Sequence, residues 1–354
     1  MRARAALVEE PGGPFTIHDV EIGEPRDDEI LVAMAAVGVC HTDLSMRRQW
    51  PAARTPMVFG HEGAGTVLAV GAGVTTVAPG DAVCLSYRSC AACDECRAGH
   101  PAYCLRSGLN TRGTRPDGTT PLTRNGAPVY GGFFGQSSFA THAIAYQSNT
   151  IRVPADLPPV IAAPLGCGVQ TGAGTVFNVL DPAPGDSVVI FGGGGVGLSA
   201  LLAAVSRDCA VTVVEPVASR RALALSLGAV AALDPSGKPP GGFHHAVDTT
   251  GRSDVIGTAI SALRRRGTLA LVGIGTTATV DVMTVLYHGI RIRGVIEGDA
   301  DPATFLPYLI DLYRQGRLPV DKLVTEYPFA EIEAAATGAA VKPVLTFGGD
   351  RTSG

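Results

Sequence analysis

The sequence predicts an α/β fold in which a β-rich first part is joined to a doubly wound parallel sheet. Three observations predict it. Short β-branched runs broken by Gly and Pro fill the first third, a strand and helix alternation begins at Gly185, and a tail of helices closes on one more strand.

In order along the chain, Glu29 to Val37, Gly63 to Val70 and Asp81 to Ser86 read as strands bounded by turns. Asn110 to Ala127, rich in Gly, Thr, Arg and Pro, reads as an irregular loop. From Gly185 the pattern is a strand at Ser187 to Phe191, a helix at Val196 to Ser206, a strand at Val211 to Glu215 and a helix at Ser219 to Leu227. Such alternation implies a parallel sheet wrapped by helices. Apolar runs at His245 to Asp248, Thr268 to Val272 and Ile290 to Ile296, with a helix at Asp254 to Leu263, extend the sheet. Helices near Thr304 to Gln315 and Ala330 to Thr337 precede a strand at Pro343 to Phe347, which is expected to rejoin the first domain.

The 354 residues carry a formal charge of −4, which argues against a nucleic-acid partner, because phosphate contacts need clustered Lys and Arg. No run of roughly 20 apolar residues stands out as a membrane span, and Met1 to Val8 lacks the apolar core of a secretory signal. A cytoplasmic location with no membrane partner is the expectation. Eight cysteines then point to metal or reactive chemistry rather than to disulfides.

Cys90, Cys93, Cys96 and Cys104 stand as C-x2-C-x2-C-x7-C in a loop-like stretch. Three thiols so close can surround one ion, and a fourth from a returning loop completes a tetrahedron, the closed site of a structural Zn2+. An Fe–S cluster is the rival reading, since three of the spacings also suit clusters. Cys40, His61 and Cys167 are candidates for a second, scattered site. Spacing gives no evidence for it, and taken singly each fits a buried small residue or a satisfied histidine. Context favours a site: Glu62 lies beside His61, and Asp43 follows Cys40 by three residues, suitable for orienting a ligand histidine. A Cys2His set leaves the fourth zinc position open.

Val188 to Phe191 leads into Gly192-Gly193-Gly194-Gly195-Val196-Gly197 and then a small-residue helix, a G-x-G-x-x-G in the strand-to-helix context of a Rossmann dinucleotide site. Gly192 permits the tight turn, Gly194 lets the backbone approach a pyrophosphate at the helix N-terminus, and Gly197 allows close packing. Glu215 ends the next strand, where an acid hydrogen-bonds the adenosine ribose and repels a 2′-phosphate. NAD is therefore favoured over NADP, although Arg220 and Arg221 follow closely enough for a guanidinium to meet such a phosphate.

These elements, in this order, resemble the zinc-dependent medium-chain alcohol dehydrogenases from the first strand to Val344-Leu345-Thr346-Phe347. GHPAYC, FFGQSSFA and GCGVQTGAGTV look most like the benzyl-alcohol (aryl-alcohol) dehydrogenases. The resemblance implies a GroES-like catalytic domain at 1–168 and 297–354, a Rossmann NAD-binding domain at 169–296, two zinc ions per chain, and a homodimer or homotetramer. It further implies that Cys40, His61 and Cys167 bind catalytic zinc with Glu62 behind the metal, while Asp43 holds His61 and Thr42 starts the proton relay from the alcohol oxygen. His41 and Lys342 would meet the NAD pyrophosphate. Thr171 and Val196 would pack the nicotinamide, Gly273 and Ile274 (with Gly195 in the phosphate loop) would offer backbone contacts, and Arg220 would approach the adenosine ribose. Trp50, Tyr87, Phe133 and Phe134 fall in segments that border the substrate cleft, an aromatic lining suited to a benzylic or allylic primary alcohol.

One departure stands out. Many members of the family end the relay in a histidine three residues after the Thr42 position, where this chain has Ser45, so proton release from the cofactor ribose to water is the other route. Oxidation of a formaldehyde adduct, or of a larger pathway metabolite, is the alternative within the family. A zinc-free enone or quinone reductase and a silent nucleotide-binding scaffold are the readings outside it. Cys84 and Cys209 read as core, and His18, His100, His142, His244, His245 and His288 as surface or structural.

Overall fold

A computed structural model describes residues 1–348 and divides into two compact units. One comprises Met1–Cys167, Asp301–Pro307 and the chain from Val324 onward; the other is Gly168–Ala300 with Tyr308–Leu323. The last six positions of the segment expected at 297–354 lie outside the described residues.

The first unit holds two sheets. Met57–Val58, Arg2–Val8, Thr16–Ile22, Leu122–Arg124 and Ala127–Val129 form one. The other runs Thr150–Arg152, Ala82–Leu85, Gly63–Val70, Glu29–Gly38, Lys342–Thr346 and Val324–Pro328, with His142–Tyr146 also on Glu29–Gly38. The closing strand thus returns to the first unit, Leu345 opposite Val37, antiparallel. Leu7, Ile30, Val32, Phe59, Phe133, Phe139 and Leu345 fill the interior, each worth about 1.5–3 kcal/mol of burial.

The loop expected at Asn110 to Ala127 is partly ordered as a hairpin: Asn125-Gly126, both at positive φ, make the two-residue turn between Leu122–Arg124 and Ala127–Val129. The remainder is pinned by Arg115, buried in a two-pronged ion pair with Glu29 (2.6 and 2.7 Å).

The second unit is a six-stranded, wholly parallel sheet: Ala231–Leu233, Ala210–Val214, Ser187–Phe191, Phe243–Asp248, Leu263–Leu271 and Arg291–Gly294. Numbered by appearance the order is 3-2-1-4-5-6, that of dinucleotide-binding sheets, with the switch point beside Ser187–Phe191. The strand Ala231–Leu233 and the helix Val282–His288 were not expected from the sequence.

Residues 159–180, where no helix was expected, form one of 22 residues. By length and composition it matches a bilayer span, yet it lies inside the fold as a core helix. Pro164, Gln170, Thr171 and several glycines break the apolar run in the sequence, which hides the helix from a search for continuous hydrophobicity. Two π-helical stretches, Leu165–Val169 and Thr175–Leu180, interrupt it, a distortion that often marks functional positions.

Candidate metal and dinucleotide sites

Three elements of the first unit bring the scattered metal candidates together. Cys40 caps the helix His41–Gln49, His61 and Glu62 immediately precede the strand Gly63–Val70, and Cys167 sits in the π-helical turn Leu165–Val169. One ligand atom from each of Cys40, His61, Glu62 and Cys167 lies within 4.8 Å of the others. Gly166 makes the approach possible: a Cβ there would stand 2.0 Å from the Leu85 carbonyl oxygen. The Ser86 hydroxyl donates to the Gly166 carbonyl (2.6 Å) and fixes that turn.

Asp43 is fully buried behind the set and accepts three hydrogen bonds, from the Cys40 N–H (3.0 Å), the Gly60 N–H (3.0 Å) and Nδ1 of His61 (2.8 Å). That last bond fixes the tautomer and aims Nε2 of His61, a buried atom with no hydrogen-bond partner, at the sulfur atoms. An unpaired buried imidazole nitrogen facing two thiols fits a metal ion, which would complete it without the penalty of a stranded polar atom.

The electrostatics agree. The Cys167 hydrogen bond pulls the Cys40 thiol well below its usual range against the cost of burial, helped by the Lys342 ammonium and by His61. Burial opposes the charged form of His61, but Asp43 outweighs it and holds the ring's pKa well above its ordinary value. Burial lifts the Glu62 carboxyl to about 7 against the pull of Lys342. Lys342 lies inside the first unit with its ammonium on both Glu62 oxygens (2.7 and 2.9 Å).

The four-cysteine loop is equally closed. Sγ of Cys93 stands 3.4 Å from Cys96 and 4.0 Å from Cys104, and Cys90 stands 4.0 Å from Cys96. Ligand sulfurs about 2.3 Å from one tetrahedral ion stand about 3.8 Å apart, so a single ion fits better than a multi-iron core. Backbone N–H groups of Cys93, Leu105 and Arg106 donate to these sulfurs, which suits thiolates. Cys93 is lowered to about 6, chiefly by its backbone hydrogen bonds, while burial and the neighbouring sulfurs push Cys96 up to about 12.

Of the other expected residues, Thr42 is half-buried and His41 exposed in the first turn of the Cys40-capped helix. Trp50, Tyr87 and Phe133 are buried in the first unit. Trp50 and Phe133 belong to an edge-on ring cluster with Phe59, and the Trp50 indole donates to the Arg54 carbonyl (2.8 Å), which makes Trp50 a core residue. Phe133 and Phe134 both stand beside His61: the Phe133 ring lies edge-on at 5.6 Å, and Phe134, half-buried at φ 51°, lays its ring 4.6 Å away.

In the second unit Gly192 takes φ +102°, and a Cβ on Gly197 would meet the Gly192 carbonyl at 1.9 Å, the close strand-to-helix packing the fingerprint requires. A Cβ on Gly194, at the start of the helix Gly195–Val205, would project into open space, a cradle with room for a pyrophosphate. Val196 beside it is half-buried. The buried Glu215 carboxylate accepts from the Gly193 and Val217 N–H groups (2.6 and 2.8 Å). Arg221 is tied to the Glu215 and Pro216 carbonyls and to Asp234, whereas the buried Nε of Arg220 has no partner. Gly273 lies against Gly251, Ile274 is exposed, and Thr171 is buried with its hydroxyl 3.4 Å from Glu297.

Two supporting residues escape a reading of motifs. The Gln136 side chain donates to the His61 and Ser86 carbonyls and accepts from the Gly63 N–H, which fixes the backbone on both sides of Glu62. Asn149 donates to the Phe134, Gly135 and Ser86 carbonyls and so stabilises the left-handed turn. Only the FFGQSSFA match hinted at the first; nothing in the sequence marks the second.

Residues 26–155 match the alcohol dehydrogenase GroES-like domain, and residues 195–314 the zinc-binding dehydrogenase domain. The chain is 47% identical to a geraniol dehydrogenase of Castellaniella defragrans over 98% of both chains. Among solved structures it is similar to the benzyl alcohol dehydrogenase of Acinetobacter calcoaceticus, at 40% identity and TM-score 0.93 over 98% of this chain and 99% of the other. It is similar also to an alcohol dehydrogenase zinc-binding domain protein of Burkholderia ambifaria, at 43% identity and TM-score 0.94 over the same shares.

Proposed function

Since the chain belongs to the medium-chain, zinc-dependent alcohol dehydrogenases, we propose that it oxidises a primary allylic or aromatic alcohol to the aldehyde, reversibly, with NAD+ as hydride acceptor. The observation that carries this reading is the Cys40, His61 and Cys167 set with its unpartnered Nε2, in a chain so similar to a geraniol dehydrogenase and a benzyl alcohol dehydrogenase. When bound, zinc would supply Lewis acidity at the alcohol oxygen and the nicotinamide would take the hydride.

The protein's own residues prepare that chemistry. Cys40 and Cys167 would supply two thiolates, and His61, held in register by Asp43, a ring nitrogen whose proton the metal would displace. Glu62, neutralised by Lys342, adds little net charge behind them. Thr42, one residue before Asp43 on the same helix, would accept the alcohol proton while passing on its own, and with Ser45 in place of a relay histidine a bound cofactor's ribose and water would be the way out. Phe134 offers an aromatic face beside His61 for the unsaturated part of the substrate. In the second unit Gly192 to Gly197 cradle the pyrophosphate, and Glu215 reads the adenosine ribose in favour of NAD.

In place of the expected boundaries, we read the first unit as the catalytic domain and the second, which takes in Glu297–Ala300 and Tyr308–Leu323, as the nucleotide domain of a cytoplasmic enzyme. Copies pair through the exposed edge strand Arg291–Gly294, next to the exposed Leu286 and Tyr287.

The test is a panel of geraniol, benzyl alcohol, ethanol and a formaldehyde–thiol adduct with NAD+ and NADP+. Turnover concentrated on the first two with NAD+ is expected. Reduction of enones by NADPH in a protein without zinc would replace this reading.

A further inference from the structure

We propose that the first unit carries a second small-molecule site, an arginine-walled pocket for a phosphate group beside the four-cysteine loop. A cavity of about 640 Å³ opens there, walled in part by Arg88, Arg106, Arg112 and Tyr146, with Cys90 also in its lining. Among the described residues that line it, Asp28 is the one carboxylate, so three guanidinium groups face a single negative charge in a chain whose net charge is −4.

The wall is organised before any ligand arrives. The Arg88 guanidinium stacks on the Tyr146 ring, 3.2 Å from its centroid, and the Tyr146 hydroxyl donates to Glu29 (3.3 Å). Glu29 is itself held by Arg115, so this buried pair contributes no net charge. Asp28 holds Arg88 loosely, at 3.6 Å, and its own side chain is 71% exposed. Arg112 donates to the Pro116 carbonyl (3.3 Å), and neither it nor Arg106 forms an ion pair among the described residues.

Planar guanidinium forks match the oxygens of a phosphate, and a stacked one loses little freedom on binding. The volume is that of a small-metabolite site rather than of a bare tetrahedral ion. The volume favours an organic monoester, the inorganic ion is the other source of the same chemistry, and the experiment separates the two.

Calorimetric titration of the purified holoprotein with inorganic phosphate and with glycerol 3-phosphate, at constant ionic strength so that screening does not vary, reads the site directly. One saturable site per chain is expected. The exposed-face variant Arg106→Ala with Arg112→Ala should weaken it at least tenfold, and Asp28→Asn should tighten it severalfold, both with unchanged alcohol oxidation. Tighter binding of glycerol 3-phosphate assigns an organic phosphate, and equal binding the inorganic ion. Absence of saturable binding, indifference to loss of the two arginines, or an Asp28→Asn protein that binds no tighter would overturn the proposal.

Discussion

Asp43→Asn is the sharpest perturbation of the metal candidates that leaves every ligand in place. The carboxylate is wholly buried, with Oδ1 accepting from Gly60 N–H and His61 Nδ1 and Oδ2 accepting from Cys40 N–H. An asparagine keeps two of these bonds at best, with its single oxygen at the Oδ1 position. Its NH2 group then faces the Cys40 N–H, donor against donor. Losing a charged acceptor and stranding a buried donor costs about 1.5–3 kcal/mol, and the two retained bonds weaken because their acceptor is now neutral. A total of about 2–4 kcal/mol corresponds to a fall in melting temperature of roughly 5–15 °C for a unit of this size. With His61 no longer aligned, zinc affinity and kcat should each fall about 10- to 100-fold. Differential scanning fluorimetry, zinc release to a chromogenic chelator and NADH absorbance read the three effects. If Asp43→Asn melts, holds zinc and turns over like the parent, Asp43 does not position His61 and the reasoning fails.

Gly166→Ala would place a Cβ 2.0 Å from the Leu85 carbonyl and push Cys167 out of register, so metal analysis should find one zinc per chain against the two expected in the parent. Retention of both would show that the turn yields without moving the thiol. Glu29→Gln leaves Arg115 buried beside a neutral amide, a cost of about 3–5 kcal/mol that the urea midpoint at neutral pH should register. The same pair sets an acid dependence. Burial raises the Glu29 pKa, but the Arg115 bonds outweigh it and the folded value is lowered. Its stabilisation is thus complete above the ordinary glutamate range, near pH 4.3, and is lost as pH falls through the depressed folded value. The gap between parent and Glu29→Gln urea midpoints should therefore narrow in acid, and a gap independent of pH would exclude this linkage. Glu215→Ser should lower the preference for NAD+ over NADP+ in kcat/KM at least tenfold, and an unchanged ratio would mean that Glu215 does not read the ribose.

What could be read in the sequence follows from how local each signal is. Gly192 to Gly197 and the cysteines from Cys90 to Cys104 carry their chemistry within one turn or loop, and the structure closes both as expected. Cys40, His61 and Cys167 are joined only by tertiary packing, so spacing is silent, and only the flanking Glu62 and Asp43 and the family resemblance point to them. Asn125-Gly126 was a legible hairpin signal lost among neighbouring turn residues. The helix at 159–180 was hidden because its polar and small residues are buried contacts rather than a solvent face. Trp50 shows the reverse failure: an aromatic residue near a site in sequence packs as core once Phe59 supplies a partner, whereas Phe133 packs on the same cluster and also against His61. Lys342, expected at a pyrophosphate, is found inside the first unit on Glu62, a contact between positions too distant for any local pattern to report.

Whether Cys40, His61 and Cys167 hold a metal on which alcohol oxidation depends is tested most directly by counting zinc beside turnover of geraniol in the parent and in Cys40→Ser. Two zinc ions per parent chain, close to one in Cys40→Ser, and loss of nearly all activity with the missing ion are expected. A Cys40→Ser protein that keeps two zinc ions and oxidises geraniol at the parent rate, or an active parent with a single zinc at the four-cysteine loop, would contradict that dependence.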